Sequence, residues 1–492
     1  MNRPARWIGL VQALLVVGLA AGVAGRWFPL GVPGEWEWLR LDAKIAVDPV
    51  GLGLATLAIL AYAGLAAWGA RALGDRPTLA REAAWVAALG AAAVGVQALA
   101  QEGAPTGYGL AKWVYALRST GSSGYQTVAR TQMPAGLAAF LRAYPAWIDR
   151  QDSLHIGTHP PGLFVLARAV DDLVGARPAL ARWLVEHAPG SVAVAIRAAR
   201  ASGPLPHDEA AGLALTGALT LIGSALTVVP LYLLARASGS PTVAWGAASL
   251  WPLLPAAVLF QPTADTAFPL LATSALAAAA WAARPGRSGW RAALAVGSGL
   301  ILGAGMELTL AFLAVGLVVA LILLAATGLR WRTRLALVAA VGLGFGLATA
   351  AWWGATRANP AAVWWVNQAH HAQFYRDYPR SRLAWAGANL AEATVAVGLA
   401  TAPWAVLGLI GRRGVPAATW ASLAVLVLLT LTGRSLSEVA RLWLPMYPPT
   451  LVAAAAAWER SGRHPLGLGW AVALLGAQGL WLEQHIQVVY PI

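Results

Sequence analysis

The stretch His155-Ile-Gly-Thr-His159-Pro160-Pro161-Gly162 is a polar interruption in a chain that is otherwise mostly apolar. Proline cannot donate a backbone hydrogen bond, and it pushes the residue before it away from helical geometry. We therefore predict a stiff, extended segment over residues 158–161, with Pro161 in the first turn of a helix over 163–176. Such a rigid segment at the aqueous face of a membrane protein is suited to form the wall of a binding site.

The composition around this stretch is that of a membrane protein. Hydrophobic residues make up 58% of the 492 positions and charged residues 11%, whereas a soluble protein carries about 25% charged residues. The mean hydropathy is +0.61. Successive apolar windows of about 20 residues are each long enough to cross a hydrocarbon core about 30 Å thick. The sequence therefore predicts an all-α polytopic membrane protein.

Thirteen transmembrane helices are predicted, at residues 7–25, 50–70, 83–100, 210–235, 242–260, 264–283, 290–306, 308–328, 334–354, 389–411, 416–432, 441–457 and 466–482. They divide the chain into N-terminal helices (1–100), a long outer loop (101–209), a transmembrane core (210–354), a second outer loop (355–388) and C-terminal helices (389–492). A further outer loop, residues 26–49, lies within the first region. In the long loop, Leu137, Phe140, Leu141 and Tyr144 recur with helical spacing and predict an amphipathic helix at the membrane surface.

The charge distribution predicts which side of the membrane each loop occupies. The net charge is +14, yet the short connections on one side are rich in arginine and hold only Asp75, Glu82 and Glu459 as acids. Cytoplasmic connections of membrane proteins carry such an excess of basic residues. We therefore expect a multi-pass protein of the inner (plasma) membrane with a cytoplasmic N-terminus and no nucleic-acid partner. The absence of cysteine from the sequence excludes thiolate chemistry.

Acidic residues in the outer loops are candidates for a general base, because a carboxylate held at the membrane surface can activate a hydroxyl group. Asp152 is the foremost of these, and Asp149 is placed to share a helical face with it. Glu35, Glu37 and Asp42 of loop 26–49 are the others. The alternative is that these carboxylates are solvated charges that pair with neighbouring arginines.

His155 and His159 are four residues apart, a spacing at which two histidines on one helix can bind a metal. Pro160 argues against a helix at this place, and zinc would need at least a third ligand. We therefore predict no cofactor, and a divalent metal has no support beyond this pair. A substrate contact is the prediction for both histidines, and the alternative is that they brace the loop by hydrogen bonds.

Further ionisable residues stand near the predicted ends of spans. Asp265 begins a span, where the helix dipole favours a carboxylate, and Glu307 lies at the apex of a tight turn, where burial would be costly. Glu438 and Arg441 are three residues apart and can pair.

An outer arginine can instead hold a lipid phosphate with its planar donor fork, or extend to headgroups. The candidates for phosphate are Arg130, Arg376, Arg380, Arg434 and Arg441, of which Arg441 is the foremost and is expected to hold the phosphate together with Arg130. The second outer loop adds three candidates for substrate contact, His370, His371 and Tyr375.

Four short motifs match a known family. They are Tyr125-Gln-Thr-Val-Ala129-Arg130, His159-Pro160-Pro161-Gly162-Leu163, Leu233-Leu234-Ala235-Arg236 and Pro262-Thr-Ala-Asp265. From about residue 108 to 330 the chain resembles the GT-C superfamily of integral-membrane glycosyltransferases, which includes the protein O-mannosyltransferases and the lipid A aminoarabinose transferase. The hairpin over residues 297–310 is similar to a glycine-rich helix pair of that superfamily, with Glu307 where a lysine is common.

The resemblance implies a GT-C-like fold and an inverting transfer of a sugar from a polyprenyl-phosphate donor to an extracytoplasmic lipid, glycan or protein. It implies that the donor and membrane lipids are partners, and that Tyr125, Arg130 and His159 contact substrate. A lipid-linked donor must reach its binding site from the bilayer. Such a site therefore belongs at the level of the outer headgroups. Cations there can hold the phosphate leaving group, and a carboxylate can activate the acceptor.

The chain departs from that family where the base is expected. The family carries an acid just before the aromatic residue of the first motif, and this chain has Ser122, Ser123 and Gly124 there. The base must then be Asp152 or an acid of loop 26–49, or the chemistry differs. A non-catalytic, GT-C-like protein of envelope assembly would explain the missing acid. A secondary transporter or flippase would need broken helices in two symmetric halves, and the sequence shows no such symmetry.

Overall fold

The computed structural model describes residues 3–41, 45, 47–74, 76–133, 136–151, 153–411 and 414–489. Two of the predicted acids, Asp42 and Asp152, lie outside these residues. Within them most of the chain is helical, and its strands form only two short two-stranded ladders. The prediction of an all-α polytopic membrane protein is therefore confirmed.

The N-terminal region contains α1 (Arg3–Ala24), α2 (Pro49–Leu73) and α3 (Leu79–Glu102). Residues 26–49, predicted as a loop, include β1 (Gly31–Val32) paired antiparallel with β2 (Trp36–Glu37). β3 (Leu39–Arg40) pairs antiparallel with β4 (Ile486–Gln487) from the other end of the chain. α2 begins after Asp48, whose carboxylate accepts a hydrogen bond from the amide of Val50 at 2.9 Å.

The long segment 101–209 forms a layer of short helices. They are α4 (Lys112–Arg118), α5 (Tyr125–Thr131), α6 (Leu137–Ile148), α7 (Gly162–Gly175), α8 (Pro178–Glu186) and α9 (Gly190–Ser202). The amphipathic helix predicted from the spacing of Leu137 to Tyr144 is α6, and its apolar face packs with α5 and α7 in one cluster. α7 is the helix predicted after the double proline, with Pro161 immediately before its first residue.

The transmembrane core contains α10 (His207–Leu226), α11 (Val228–Arg236), α12 (Pro241–Leu250), α13 (Pro255–Leu259), α14 (Phe268–Ala282), α15 (Ser288–Met306), α16 (Phe312–Leu324) and α17 (Trp331–Thr356). The C-terminal part contains α18 (Pro360–Asp377), α19 (Arg382–Val397), α20 (Ala402–Gly411), α21 (Ala417–Thr432), α22 (Val439–Leu442), α23 (Pro448–Arg460) and α24 (Pro465–His485). The second outer loop is therefore mostly helix α18, which begins after Asn359 as its capping residue.

The number of long spans is smaller than the thirteen predicted. Among the described residues, six helices are long and apolar enough to cross a membrane, or seven if α19 and α20 form one span bent by 107°. Prolines break the predicted span 242–260 into α12 and α13, because a proline removes a helical hydrogen bond. The predicted span 308–328 retains only the 13 residues of α16. Periodicity and hydropathy located the apolar segments but not their breaks.

The three segments predicted to lie outside the membrane contact one another. The carboxylate of Glu35 accepts a hydrogen bond from the indole of Trp385 at 2.7 Å. His370 Nδ1 donates to the carbonyl of Gly157 at 2.8 Å. In a separate contact, Glu82 and Arg236, both predicted to be cytoplasmic, form an ion pair at 3.1 Å. These contacts bring the three segments together, and the side of the membrane on which they lie stays a prediction.

A close backbone contact anchors α7 to the turn after α15. The amide of Gly162 donates to the carbonyl of Glu307 at 2.7 Å. A Cβ atom at Gly162 would lie 2.3 Å from that carbonyl oxygen and 2.8 Å from a methyl carbon of Leu308. No residue larger than glycine fits this place without moving the backbone, so the start of α7 is fixed against the core.

We expect the substitution Gly162→Ala to destabilise the protein by about 1–3 kcal/mol, because overpacking forces the backbone apart. Gly175→Ala, at the other end of α7, is the matched control, since nothing lies within 4 Å of its Cβ position. Thermal unfolding in lipid nanodiscs should show a lower midpoint for the first variant and no loss for the second. Equal midpoints for the two variants would contradict the contact.

Candidate functional site

A cavity of about 630 Å³ lies between the His-Pro-Pro segment, α18 and the chain around α22. Polar side chains from distant parts of the sequence line it, namely His155, Thr158, His159, Asp265, Asn367, Gln368, His371, Tyr375, Arg434 and Arg441 with Glu438. Leucine, phenylalanine and methionine side chains from α14, α16, α21 and the turn at 444–446 complete the walls. The cavity thus combines a long apolar surface with a concentrated polar region, as ligand sites do.

Arg441 is the centre of the polar region. Its guanidinium contacts Glu438 at 2.5 Å and Asp265 at 3.7 Å, and its side chain is only 12% exposed. The spacing of Glu438 and Arg441 predicted the first pair, whereas Asp265 comes from a turn far away in sequence. Arg441 therefore holds two carboxylates at the cavity surface, and its own charge is compensated by them.

His155 and His159 are held in opposite tautomers. The ring Nδ1 of His159 lies 2.7 Å from the carbonyl oxygen of His155, which can only accept, so Nδ1 carries the proton and Nε2 is left as an acceptor. The ring Nδ1 of His155 lies 3.4 Å from Nη1 of Arg441, which can only donate, so His155 carries its proton on Nε2. Burial lowers the pKa of both rings, and Arg441 lowers that of His155 further. Both are therefore neutral at pH 7.

Three side chains hold the His-Pro-Pro segment in place. The hydroxyl of Tyr144 donates to the carbonyl of His159 at 2.7 Å. The amide of Asn367 donates to the carbonyls of Gly157 and His159, at 3.1 and 3.2 Å. The ring of Tyr125 meets that of His159 edge-on at 5.6 Å. Tyr125 thus supports His159 and does not line the cavity itself.

Residues 434–438 form the opposite rim. His371 donates from Nε2 to the carbonyl of Arg434 at 3.0 Å. The hydroxyl of Tyr375 accepts from the amide of Leu436 at 2.9 Å. Among the ion pairs of the described residues, none involves the exposed side chain of Arg434. It is thus an uncompensated cation at the cavity, in contrast to Arg441.

The backbone at this rim is strained. Ser437 and Glu438 have φ angles of 76° and 52°, in the left-handed region that residues other than glycine rarely adopt. Such a conformation costs about 1–3 kcal/mol and often marks a functional site. Here it precedes α22 and directs Glu438 toward Arg441. The surrounding structure therefore holds Glu438 in place although its backbone conformation is unfavourable.

Two predicted residues lie apart from the large cavity and have other partners. The carboxylate of Glu35 accepts from the amide of Ser381 at 2.9 Å as well as from Trp385, and so clamps the hairpin to the start of α19. Arg130 faces three acids, Asp208 at 2.7 Å, Asp171 at 3.4 Å and Glu209 at 3.9 Å. These contacts give both side chains a structural role. His370 likewise braces Gly157 and is not part of the cavity wall.

Glu307 is buried in the turn after α15, where its backbone carbonyl accepts the hydrogen bond from Gly162. The residue is 3% exposed, and neither carboxylate oxygen has a hydrogen-bond partner among the described residues. Burial raises its pKa from 4.5 to about 7. Glu307 therefore keeps its proton up to about pH 7. It does not line the cavity.

Glu307 should make stability depend on pH. Its folded pKa is raised, so between pH 4.5 and about 7 the folded protein binds more protons than the unfolded chain. The contribution of Glu307 to stability is then greatest below pH 4.5 and falls by on the order of 3 kcal/mol as pH rises from 4.5 through 7. Glu307→Gln should lose this dependence, measured as the difference in unfolding midpoint from the wild type at pH 4.5 and 8. A constant difference across that range would refute the burial of an unpaired carboxyl.

The site also contains residues that sequence reasoning missed. Asn367 fixes two carbonyls of the His-Pro-Pro segment, and Ser437 shares the strained backbone of Glu438. Asn367 precedes His370 by three residues on α18, a spacing that would have placed it on the same helical face. No group of three or more potential metal ligands occurs among the described residues.

Comparisons with known proteins give little further. No family model and no curated protein matches the chain. A solved structure, the oligosaccharyltransferase of Archaeoglobus fulgidus in complex with zinc and sulfate, is similar with a TM-score of 0.40 and 13% sequence identity. The similarity covers 75% of this chain and 53% of that one, so the chain spans about half the length of the oligosaccharyltransferase. At this level the likeness establishes no shared activity.

Proposed function

We propose that this protein is a membrane glycosyltransferase that moves a sugar from a polyprenyl-phosphate donor to a hydroxyl group of an acceptor outside the cytoplasm. One observation carries the proposal. A single cavity joins an apolar surface suited to a polyprenyl chain with two neutral histidines, two carboxylates and an uncompensated arginine. The motifs that resemble the GT-C superfamily supply part of the wall of this cavity, including His159 and Asp265.

The phosphate of the donor is assigned to Arg434. Guanidinium donors match phosphate oxygens, and a cation without an acidic partner is free to take up that charge. Arg441, which the sequence favoured for this role, is already paired with Asp265 and Glu438. Its role in the proposal is to position these carboxylates. The apolar residues between Leu429 and Met446 would receive the first isoprene units of the donor.

The base is assigned to Glu438. The acceptor oxygen forms a bond to the anomeric carbon, and the bond from that carbon to the phosphate oxygen breaks with its electron pair. The proton of the acceptor passes to Glu438, and polyprenyl phosphate leaves with its charge against Arg434. Arg441 holds one oxygen of Glu438 and so orients the carboxylate. His159 presents its Nε2 lone pair as an acceptor for a sugar hydroxyl.

Loss of Arg434 should weaken donor binding. We expect Arg434→Gln to bind undecaprenyl phosphate about 10- to 100-fold more weakly than the wild type, the loss typical of hydrogen bonds to a charged group. Dissociation constants measured in nanodiscs would show this. Arg376→Gln is the matched control, because Arg376 is exposed, bonds to Gln373 at 2.8 Å and does not line the cavity. Equal weakening by both substitutions would refute the phosphate assignment.

A further inference from the structure

A second, smaller cavity of about 190 Å³ lies beside the first. Its walls include Trp36, Glu37 and Trp38 of the N-terminal hairpin, Ser122 of the loop before α5 and Gln487 of β4. The volume equals roughly six water molecules at about 30 Å³ each, which suits one small ring and excludes a lipid chain. Its lining combines aromatic side chains with polar ones, whereas leucine, phenylalanine and methionine side chains form much of the wall of the large cavity.

The two cavities share one wall. His155, Glu438 and Arg441 line both of them. A molecule in either cavity could therefore contact these three side chains, among them Glu438, the base in the proposed reaction. In a transfer between two bound substrates the reacting atoms must approach to about 3–3.5 Å. The acceptor hydroxyl would therefore reach the anomeric carbon where the two cavities meet, beside Glu438.

The walls of the small cavity are held firmly. Trp38 is 6% exposed and meets Phe260 edge-on at 6.4 Å, and Trp36 packs against Trp385 at 6.2 Å. The pairing of Leu39 with Gln487 ties the hairpin to the end of α24. Glu37 is exposed and has no ion pair among the described residues. The site is thus preformed, with one free carboxylate.

We propose that the small cavity is the acceptor site and that it binds the terminal sugar ring of a glycan. This inference rests on the proposed function and names the acceptor class for it. Indole faces pack against the C–H face of a pyranose, while a carboxylate, a hydroxyl and an amide can bind its hydroxyl groups. Glu37 would bind the sugar and Glu438 would take the proton of the reacting hydroxyl. A serine or threonine side chain would leave most of this polar lining without a partner.

Saturation-transfer NMR with methyl α-D-glucopyranoside as the probe tests the inference in nanodiscs. We expect transfer to the probe from the wild type, and binding about tenfold weaker in Glu37→Gln, the size of one hydrogen bond to a charged group. Trp36→Ala should lose binding as well, and Glu186→Gln, an exposed glutamate of α8, should not. No binding, or equal binding by Glu37→Gln and the wild type, would overturn the proposal.

Two further arms separate this inference from the proposed function. A serine tripeptide that binds in a Glu37-dependent manner while the glucoside does not would overturn the sugar assignment. Undecaprenyl phosphate binding is measured in the same samples. If it persists while the glucoside fails to bind, the acceptor inference falls and the proposed function stands. If the wild type binds no undecaprenyl phosphate, the proposed function itself fails.

Discussion

Glu438→Gln should reduce sugar transfer by about 10²–10⁴-fold, the contribution typical of a general base. Glutamine has the same shape and can still contact Arg441, but it cannot accept the proton of the acceptor hydroxyl. Undecaprenyl phosphate should bind this variant within a few-fold of the wild type, because the phosphate is assigned to Arg434. The measurement is the rate of release of polyprenyl phosphate from a polyprenyl-phosphate sugar at saturating donor and acceptor.

The controls for this prediction are chosen to separate rival bases. Glu186→Gln makes the same chemical change at an exposed position outside both cavities and should keep full activity. Asp152→Asn tests the base that the sequence favours. Loss of transfer in Asp152→Asn with full activity in Glu438→Gln would move the assignment to Asp152 and leave the cavity as the site.

Arg441→Gln should cost about 3–5 kcal/mol of stability, because it leaves two carboxylates without their shared cation in a largely buried place. The unfolding midpoint should fall further than that of Gly162→Ala, since uncompensated buried charge costs more than one steric overlap. Activity should fall with it, since Glu438 would lose its orientation. Thermal unfolding in nanodiscs, followed by tryptophan fluorescence, measures the first effect.

A compensating variant distinguishes charge from packing. Removing both carboxylates together with the cation, as Arg441→Gln with Asp265→Asn and Glu438→Gln, should recover most of the lost stability, because no uncompensated charge remains. Activity should stay absent in this triple variant. If the triple variant is as unstable as Arg441→Gln alone, the ion pairs do not explain the role of Arg441.

Much of the architecture follows from the sequence because it depends on local signals. The double proline predicted the start of α7, and four apolar residues with helical spacing predicted α6. The breaks between α12 and α13 and the bend between α19 and α20 depend on packing between distant helices, so hydropathy did not show them. The pairing of β3 with β4 joins residues more than 400 positions apart. No local pattern contains that information.

The site was predictable in its parts but not in its connections. A spacing of three residues indicated the pair of Glu438 and Arg441, whereas the contact of Arg441 with Asp265 arises only from the fold. Glu35 is a carboxylate in a predicted outer loop, as a general base would be. Its hydrogen bonds to Ser381 and Trp385 give it a structural role. The sequence identifies a carboxylate in a loop, but only the three-dimensional structure shows which residues it contacts.

The central claim is that the large cavity binds the phosphate end of a polyprenyl donor. The most direct measurement uses undecaprenyl phosphate that carries a photoactivatable diazirine on its first isoprene unit, cross-linked to the protein in nanodiscs and mapped by mass spectrometry. The claim predicts attachment within residues 429–446 or 153–159, abolished by an excess of unmodified undecaprenyl phosphate. Attachment spread over lipid-facing helices such as α17, and unaffected by that excess, would contradict it.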